Sequence, residues 1–195
     1  MKYFMGIDVG TNETKGVLID QTCAIVAFAS RGHELLNPRP GFFEHDAEGT
    51  WWGDFCAVSR QLLQESGVSA AAVGCVGLSA LGCDCVPVDA EGTALCNAIL
   101  YGVDSRSRKE IEWLYDYYGR EEAERLYGHE LCSSDIAPKI LWVKNNLPQV
   151  YAKTAKFLTG SSYLCAKLTG EYTIDRYLAE DFAPLYDLKH DTVDE

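Results

Sequence analysis

The run Tyr3-Phe4-Met5-Gly6-Ile7-Asp8-Val9-Gly10-Thr11-Asn12-Glu13-Thr14-Lys15-Gly16-Val17-Leu18-Ile19-Asp20 constrains this chain more than any other stretch. Two apolar segments with large or β-branched side chains flank a short polar turn, the pattern of a β-hairpin. Tyr3 to Val9 reads as the first strand, Gly10 offers backbone freedom at the turn, and Val17 and Ile19 belong to the returning strand. Asp8 ends the first strand with a carboxylate, a hard oxygen ligand that suits magnesium, directly or through water. Beside it, the backbone of Gly10, Thr11 and Asn12, the Thr11 hydroxyl and the Lys15 ammonium form a set able to approach a polyphosphate. The stretch therefore predicts a phosphate-holding hairpin, against the plainer alternative of an ordinary Gly-Thr turn. A Walker-type loop is excluded, because a second strand follows the turn where that motif requires a helix after Gly-Lys-Ser/Thr.

With 195 residues, 47% of them hydrophobic, the chain is long enough for one domain with a substantial core, and also short enough to be part of a larger enzyme. Its formal charge of -12 and the lack of any Lys/Arg cluster argue against nucleic acid as a partner. The eight cysteines form no Cys-x-x-Cys pair and several lie in apolar runs, so they read as reduced thiols. Cys83-Asp84-Cys85 is the closest pair, and its strand-like setting speaks against a metal there. Met1-Lys2-Tyr3-Phe4 leads straight into a strand, and no apolar run reaches membrane-spanning length. The expectation is a cytoplasmic protein with no membrane partner.

The remaining chain alternates short strands and amphipathic helices. Ala24–Ala29 predicts a third strand, completing an antiparallel meander, and His33–Phe43, with Pro38, Pro40 and Gly41, an extended loop. Asp46 caps a helix ending at Gly67, whose apolar residues recur at helical spacing. Its core stripe is read as Trp52, Phe55, Ser59, Leu62 and Leu63, which makes Trp52 the more buried of the Trp51-Trp52 pair. The pair also admits a sugar-stacking role. Val73–Ser79 predicts a buried strand reached by this helical crossover, Cys85–Asp89 a strand whose Pro87 marks an edge or an end, and Asp89–Gly92 a turn. Leu95–Tyr101 is extended. Helices follow over Ser105–Tyr118, Glu121–Tyr127 and Ala137–Asn145, then a short strand at Lys156–Thr159 and a helix from a Ser161 cap to Leu168.

The pattern Asp8-x-Gly10-Thr11-x-x-x-Lys15 resembles the first phosphate motif of the superfamily of sugar kinases, hexokinases, actin and heat-shock chaperone ATPases. The element order agrees with the fold class that superfamily shares: α/β, ribonuclease-H-like (actin-like ATPase), a mixed sheet opening with a three-strand antiparallel meander and flanked by helices. Within it the chain is similar to the N-terminal domain of the FGGY carbohydrate kinases, the group of xylulokinase, ribulokinase, gluconokinase and glycerol kinase. Phe43-Glu44-His45-Asp46 with Trp51-Trp52, the Asp89–Gly92 turn, Ala98–Arg106, Ala137–Val143 and Leu168-Thr169-Gly170-Glu171 carry the likeness over almost the whole chain. Residues 1–195 then read as an FGGY-type N-terminal domain that stops before its end, with the C-terminal domain lying outside the sequence.

The resemblance implies an ATP-dependent kinase that, with Mg2+, transfers the γ-phosphoryl group to a hydroxyl of a sugar, a pentulose such as xylulose first, or a polyol or sugar acid. It implies Asp8 as the organiser of magnesium and phosphate, and Gly10, Thr11, Asn12 and Lys15 as nucleotide contacts. Leu81, Gly82 and Cys83 align with the sugar-contacting stretch, where relatives carry polar pairs that Gly82 and Cys83 do not replace. Asp104 and Arg106 are further candidates for sugar hydroxyls, or else a partly buried ion pair steadying their loop. Asp175 matches a family Thr-Asp segment, though bulky Tyr177 and Leu178 follow it. The family's catalytic base, an Asp in a later Gly-Asp segment, is not in this chain, so the chain alone is expected to be inactive. Expected partners are the sugar, the C-terminal domain and, as a candidate, a second copy of the protein. Two other readings stay open: a noncatalytic sugar or nucleotide sensor, and an activator-type ATPase of the same superfamily.

Overall fold

A computed structural model describes residues 2–187, 190, 192 and 193. Met1, where the sequence reading begins, and Asp194–Glu195, where it places the cut, lie outside the described residues.

The opening meander forms as its alternation dictates. Strands β1 (Tyr3–Val9), β2 (Glu13–Ile19) and β3 (Ile25–Gly32) pair antiparallel in sequence order. One face of these strands carries Met5, Ile7, Val9, Thr14, Gly16, Leu18, Ala27 and Ala29, all buried, and the other carries Gly6, Asp8, Lys15 and Phe28. The chain then passes through β4 (Glu44–His45) into helix α1 (Gly53–Ser66), which packs on the buried face through Phe55, Val58 and Leu62 and ends at Gly67, in the left-handed conformation. Beyond α1, strand β5 (Val73–Ala80) joins β1 in parallel, giving the sheet order β3-β2-β1-β5.

Glycine at position 16 is what brings α1 this close. A Cβ there would collide with Val58 Cγ1 and sit 2.9 Å from Leu62 Cδ1, so any side chain forces these core contacts to shift. Gly16→Ala is expected to cost about 1–3 kcal/mol in denaturant unfolding. Gly77→Ala is its control: on β5, with nothing within 4 Å of its would-be Cβ, the change should stay within about 0.5 kcal/mol.

Two expectations about this half need correction. Trp51, fully buried, and not Trp52, occupies the core stripe with Phe55, Val58 and Leu62. The reason is a π-type turn over Ala47–Trp52, which precedes α1 and changes the phase that a uniform α-helix from Asp46 would have. Burying an indole also requires an acceptor for its N–H, and Trp51 Nε1 donates to His45 Nδ1 at 2.9 Å. Trp52 remains at the rim, stacked on Phe55 at 5.6 Å. The second correction concerns β5, expected to be buried: it is the sheet's edge, and most of its residues are exposed.

The second half adds a small antiparallel pair, β6 (Val86–Val88) with a later strand, and β7 (Ala98–Ile99) against β4. Helices α2 (Arg108–Tyr118), α3 (Arg120–Tyr127) and α4 (Ile136–Asn146) form a separate cluster around Leu114, Ala123, Tyr127 and Leu131. After α5 (Pro148–Tyr151), strand β8 (Lys156–Leu158) completes the pair with β6, and α6 (Gly160–Thr169) and α7 (Arg176–Glu180) follow. The cap of α6 is Thr159 and not Ser161: Thr159 has the extended backbone of a cap and its Oγ1 accepts from the Ser162 N–H.

Candidate functional site

The register of the four-stranded sheet lines up the polar groups of the hairpin in one row. Asp8 on β1 stands opposite Lys15 on β2 and Ser79 on β5, and Lys15 stands opposite Ser30 on β3. Residues opposite one another in a ladder share a face, so Ser30, Lys15, Asp8 and Ser79 run across all strands of the sheet on its open side. Asp8 Oδ1 accepts from Ser79 Oγ at 2.6 Å. Two positions along the strands, the next row holds Gly6 and Gly77, whose missing side chains leave a hollow beside the polar row. A cavity of about 410 Å³ opens there, walled by Asp8, Lys15, Ser79, Val17, Phe28 and these glycines.

At the turn, Gly10 N–H donates to Glu13 O at 3.0 Å. Glycine is favoured here by space and not by a left-handed backbone, since a Cβ on Gly10 would lie 3.2 Å from that same carbonyl. Lys15 Nζ pairs with Glu13 Oε1 at 2.8 Å, and this carboxylate holds the Lys15 ammonium above its ordinary value. Thr11 and Asn12 form the tip, with Asn12 exposed.

Beneath the turn lies a buried polar support that the sequence reading missed. His33 Nε2 faces Gly10 O at 3.0 Å and Nδ1 faces Asp54 Oδ2 at 2.9 Å, so the ring ties the hairpin turn to the first turn of α1. Both partners, a carbonyl and a carboxylate, are acceptors facing the ring nitrogens. Asp54 also pairs with Arg31 Nε at 2.7 Å. His45 packs edge-on against His33 at 5.0 Å and is pushed down to about 4, by burial first and by His33 second, so it is neutral at physiological pH. The His33-Asp54 contact spans two elements, and no local motif announces it.

Leu81, Gly82 and Cys83 leave the end of β5. Leu81 is buried and its N–H continues the ladder to Val9 O at 3.1 Å. Gly82 lies against Leu178, 3.7 Å from its would-be Cβ. Cys83 Sγ donates to Asp181 Oδ2 at 2.7 Å, and burial, with Asp181 beside it, pushes the thiol up to about 12. Its carbonyl accepts from Lys139 Nζ at 2.7 Å, and the same ammonium reaches Ser134 O at 3.1 Å. Asp84 is wholly buried and pushed up to about 7 by that burial. Its Oδ1 accepts from the Tyr101 N–H at 3.1 Å, while Oδ2 has no partner. Burial also lowers Lys139, although nearby Asp84 favours its charge. Lys139 and Asp181 were not singled out from the sequence: Lys139 lay inside a matched motif, Asp181 gave no signal, and Asp84 stood out only as the residue between Cys83 and Cys85.

Asp104 and Arg106 come together with each other. Arg106 Nε donates to Asp104 Oδ2 at 2.9 Å and Nη2 to the same oxygen at 2.8 Å, with Nη2 also on Glu44 Oε1 at 2.9 Å. The Phe43 N–H donates to Asp104 Oδ2 at 2.7 Å. The guanidinium lies over Phe42 and Trp142, 4.3 and 4.9 Å from the ring centres. Neither residue, nor Leu81, Gly82 or Cys83, lines the cavity of Asp8 and Lys15.

Comparison with known proteins points to one family. Residues 3–191 match the model of the FGGY family of carbohydrate kinases, N-terminal domain. The xylulose kinase of Bacillus subtilis is 28% identical over 170 residues, covering 87% of this chain and 34% of the relative. The glycerol kinase of Methylorubrum extorquens is 32% identical over 169 residues, covering 84% and 33%. Among solved structures, xylulose kinase from Rhodospirillum rubrum superposes with a TM-score of 0.87 at 26% identity, over 99% of this chain and 39% of that one. The fold is thus the ribonuclease-H-like fold of the actin-like ATPases, and the chain spans about a third of the length of the curated relatives it matches. No helix among the described residues is long and apolar enough to cross a membrane.

Proposed function

Because the chain belongs to the FGGY family of carbohydrate kinases, we propose that the protein it forms part of transfers the γ-phosphoryl group of ATP to a hydroxyl of a small sugar. A pentulose such as xylulose is the first choice of acceptor, and a polyol or sugar acid the second. The observation that carries this reading is the row Ser30-Lys15-Asp8-Ser79 across the open face of the sheet, beside a hollow left by Gly6 and Gly77.

The residues fit a magnesium-nucleotide. Asp8 is exposed, with Oδ1 held by the Ser79 hydroxyl and Oδ2 3.9 Å from where a Cβ on Gly10 would lie, beside the hairpin turn. A carboxylate and a hydroxyl are the hard oxygens that magnesium takes, with water filling its remaining positions. The ion would neutralise phosphate charge as it developed. Gly10, Thr11 and Asn12 would face the phosphates, and Lys15, swung away from Glu13, would offset their charge. His33 would hold the Gly10 carbonyl, and with it the turn, in place.

On the acceptor side, Leu81, Gly82, Cys83, Asp104 and Arg106 are the candidate contacts. Lys139 fixes the Cys83 carbonyl, so that this stretch enters the reaction already positioned. The general base and the adenosine surface would come from outside these 195 residues, and the chain alone would release no ADP in response to sugar. A noncatalytic sensor is favoured by one feature only: the Cys83 thiol is engaged by Asp181 and presents no free polar group.

The test is ADP release by the intact protein with Mg2+, ATP and a panel of pentuloses, polyols and sugar acids, run beside the 195-residue chain. Turnover of the intact protein with one class, and none by the short chain, is expected. Tight sugar or nucleotide binding without turnover by the intact protein would favour the sensor.

A further inference from the structure

The loop between α3 and α4 brings together a different set of groups. Gly128, in the left-handed conformation, ends α3 and turns the chain outward. Leu131 then anchors the loop, buried, with its N–H donating to the Tyr115 hydroxyl at 2.9 Å. On either side of that anchor, His129 and Cys132 are exposed, and Asp135, at the start of α4, is wholly buried. His129 Nε2 lies 2.8 Å from Asp135 Oδ1, and the Cys132 N–H donates to Asp135 Oδ2 at 2.7 Å. One ligand atom from each of the three side chains lies within 4.8 Å of the other two.

That spacing is near what a tetrahedral cation needs. With metal bonds of about 2.0–2.3 Å, ligand atoms sit roughly 3.3–3.8 Å apart. Asp135 is fixed by burial, and the exposed His129 ring and Cys132 side chain are free to close the remaining distance. The donor set is one imidazole, one thiol and one carboxylate, a mixture that selects a zinc-class ion over magnesium or calcium.

Nearby, the Tyr127 hydroxyl is buried without a hydrogen-bond partner. His129 is the group paired with Asp135 at its open side.

We propose that His129, Cys132 and Asp135 form a binding site for one zinc-class divalent cation, with water as the fourth ligand. Binding takes Cys132 as the thiolate and releases one proton to solvent. In the bound state His129 coordinates through Nε2 with its ring proton on Nδ1, and the metal replaces the contact of Nε2 with Asp135. The same loop carries Ser134, whose carbonyl shares the Lys139 ammonium with Cys83, so an ion here would stiffen a segment coupled to the Leu81–Cys83 stretch.

The experiment is titration of the reduced full-length protein with Co2+, followed by ultraviolet and visible absorption, then displacement by Zn2+. One equivalent should give a thiolate-to-cobalt charge-transfer band together with intense tetrahedral d–d bands, lost on adding Zn2+. Cys132→Ser should abolish the charge-transfer band, and His129→Gln should weaken binding by about tenfold or more. Both substitutions are at exposed positions, and circular dichroism checks that the fold persists. Absence of a saturable one-to-one band, or a band unchanged in Cys132→Ser, which would assign it to another cysteine, overturns the proposal.

Discussion

Replacing Asp8 with Ala is expected to lower the turnover of the intact protein by about a thousandfold while leaving its folding transition in place. The two halves of that expectation come from different observations. Asp8 is exposed and projects from the open face of β1, opposite the buried Ile7 and Val9, so its removal opens no cavity. Among the described residues its side-chain hydrogen bond is with Ser79, itself exposed, which water can replace. What the proposed reading assigns to this carboxylate is placement of magnesium against the phosphates. Loss of one well-placed electrostatic group of that kind costs several kcal/mol in the transition state. Asp8→Asn sharpens the test, since the amide retains a polar contact with Ser79 and loses only the charge. Steady-state kinetics with saturating ATP, alongside circular dichroism, measures both quantities. Near-normal kcat in Asp8→Ala would remove Asp8 from the phosphate site.

The largest effect on stability is expected from Arg106→Met. The Arg106 side chain is 3% exposed and is the shared partner of two carboxylates, Asp104 and Glu44. Removing the guanidinium leaves Asp104 buried with only backbone donors, the N–H groups of Phe43 and Arg106 itself. Breaking a buried pair from one side costs about 3–5 kcal/mol, and the loss of contacts with Phe42 and Trp142 acts in the same direction. Chemical unfolding of the protein would show this as a lower midpoint at an unchanged slope. The same variant separates two roles for the residue. A sugar contact would raise KM for the acceptor with stability preserved, whereas an ion pair steadying the loop lowers stability first.

How much of this was legible in the sequence depends on the range over which each feature is encoded. The hairpin was legible because its alternation is local: Met5, Ile7 and Val9 bury, Gly6 and Asp8 do not, and the pattern repeats in Thr14, Gly16 and Leu18. The crossover from the meander through α1 to a parallel β5 followed from element order in the same way. Trp51 and Trp52 were exchanged because period counting assumes uniform winding, and the π-type turn over Ala47–Trp52 breaks that assumption without a marker in residue type. The exposure of β5 was missed because an apolar run reports the residues of a strand and not how many neighbours it has. Within the candidate site, Asp8 and Lys15 are visible in a single motif. Ser79 joins them only through sheet register, and His33 reaches Asp54 across 21 residues of chain.

The placement of the polar row in the sheet ties its accuracy to folding itself. Ser30, Lys15, Asp8 and Ser79 belong to four separate strands, and on three of those strands the alternate positions face the core: Met5, Ile7 and Val9 on β1, Thr14, Gly16 and Leu18 on β2, Ala27 and Ala29 on β3. A slip of one residue in any of these strands would turn its member of the row inward and expose aliphatic side chains, an arrangement too costly to persist. Imperfect alignment of the row is therefore not a state in which molecules accumulate. Damage to the core through mutation would thin the population of folded molecules and leave each survivor with an unaltered row, so that a weakened lineage would inherit less of the protein and not a worse one.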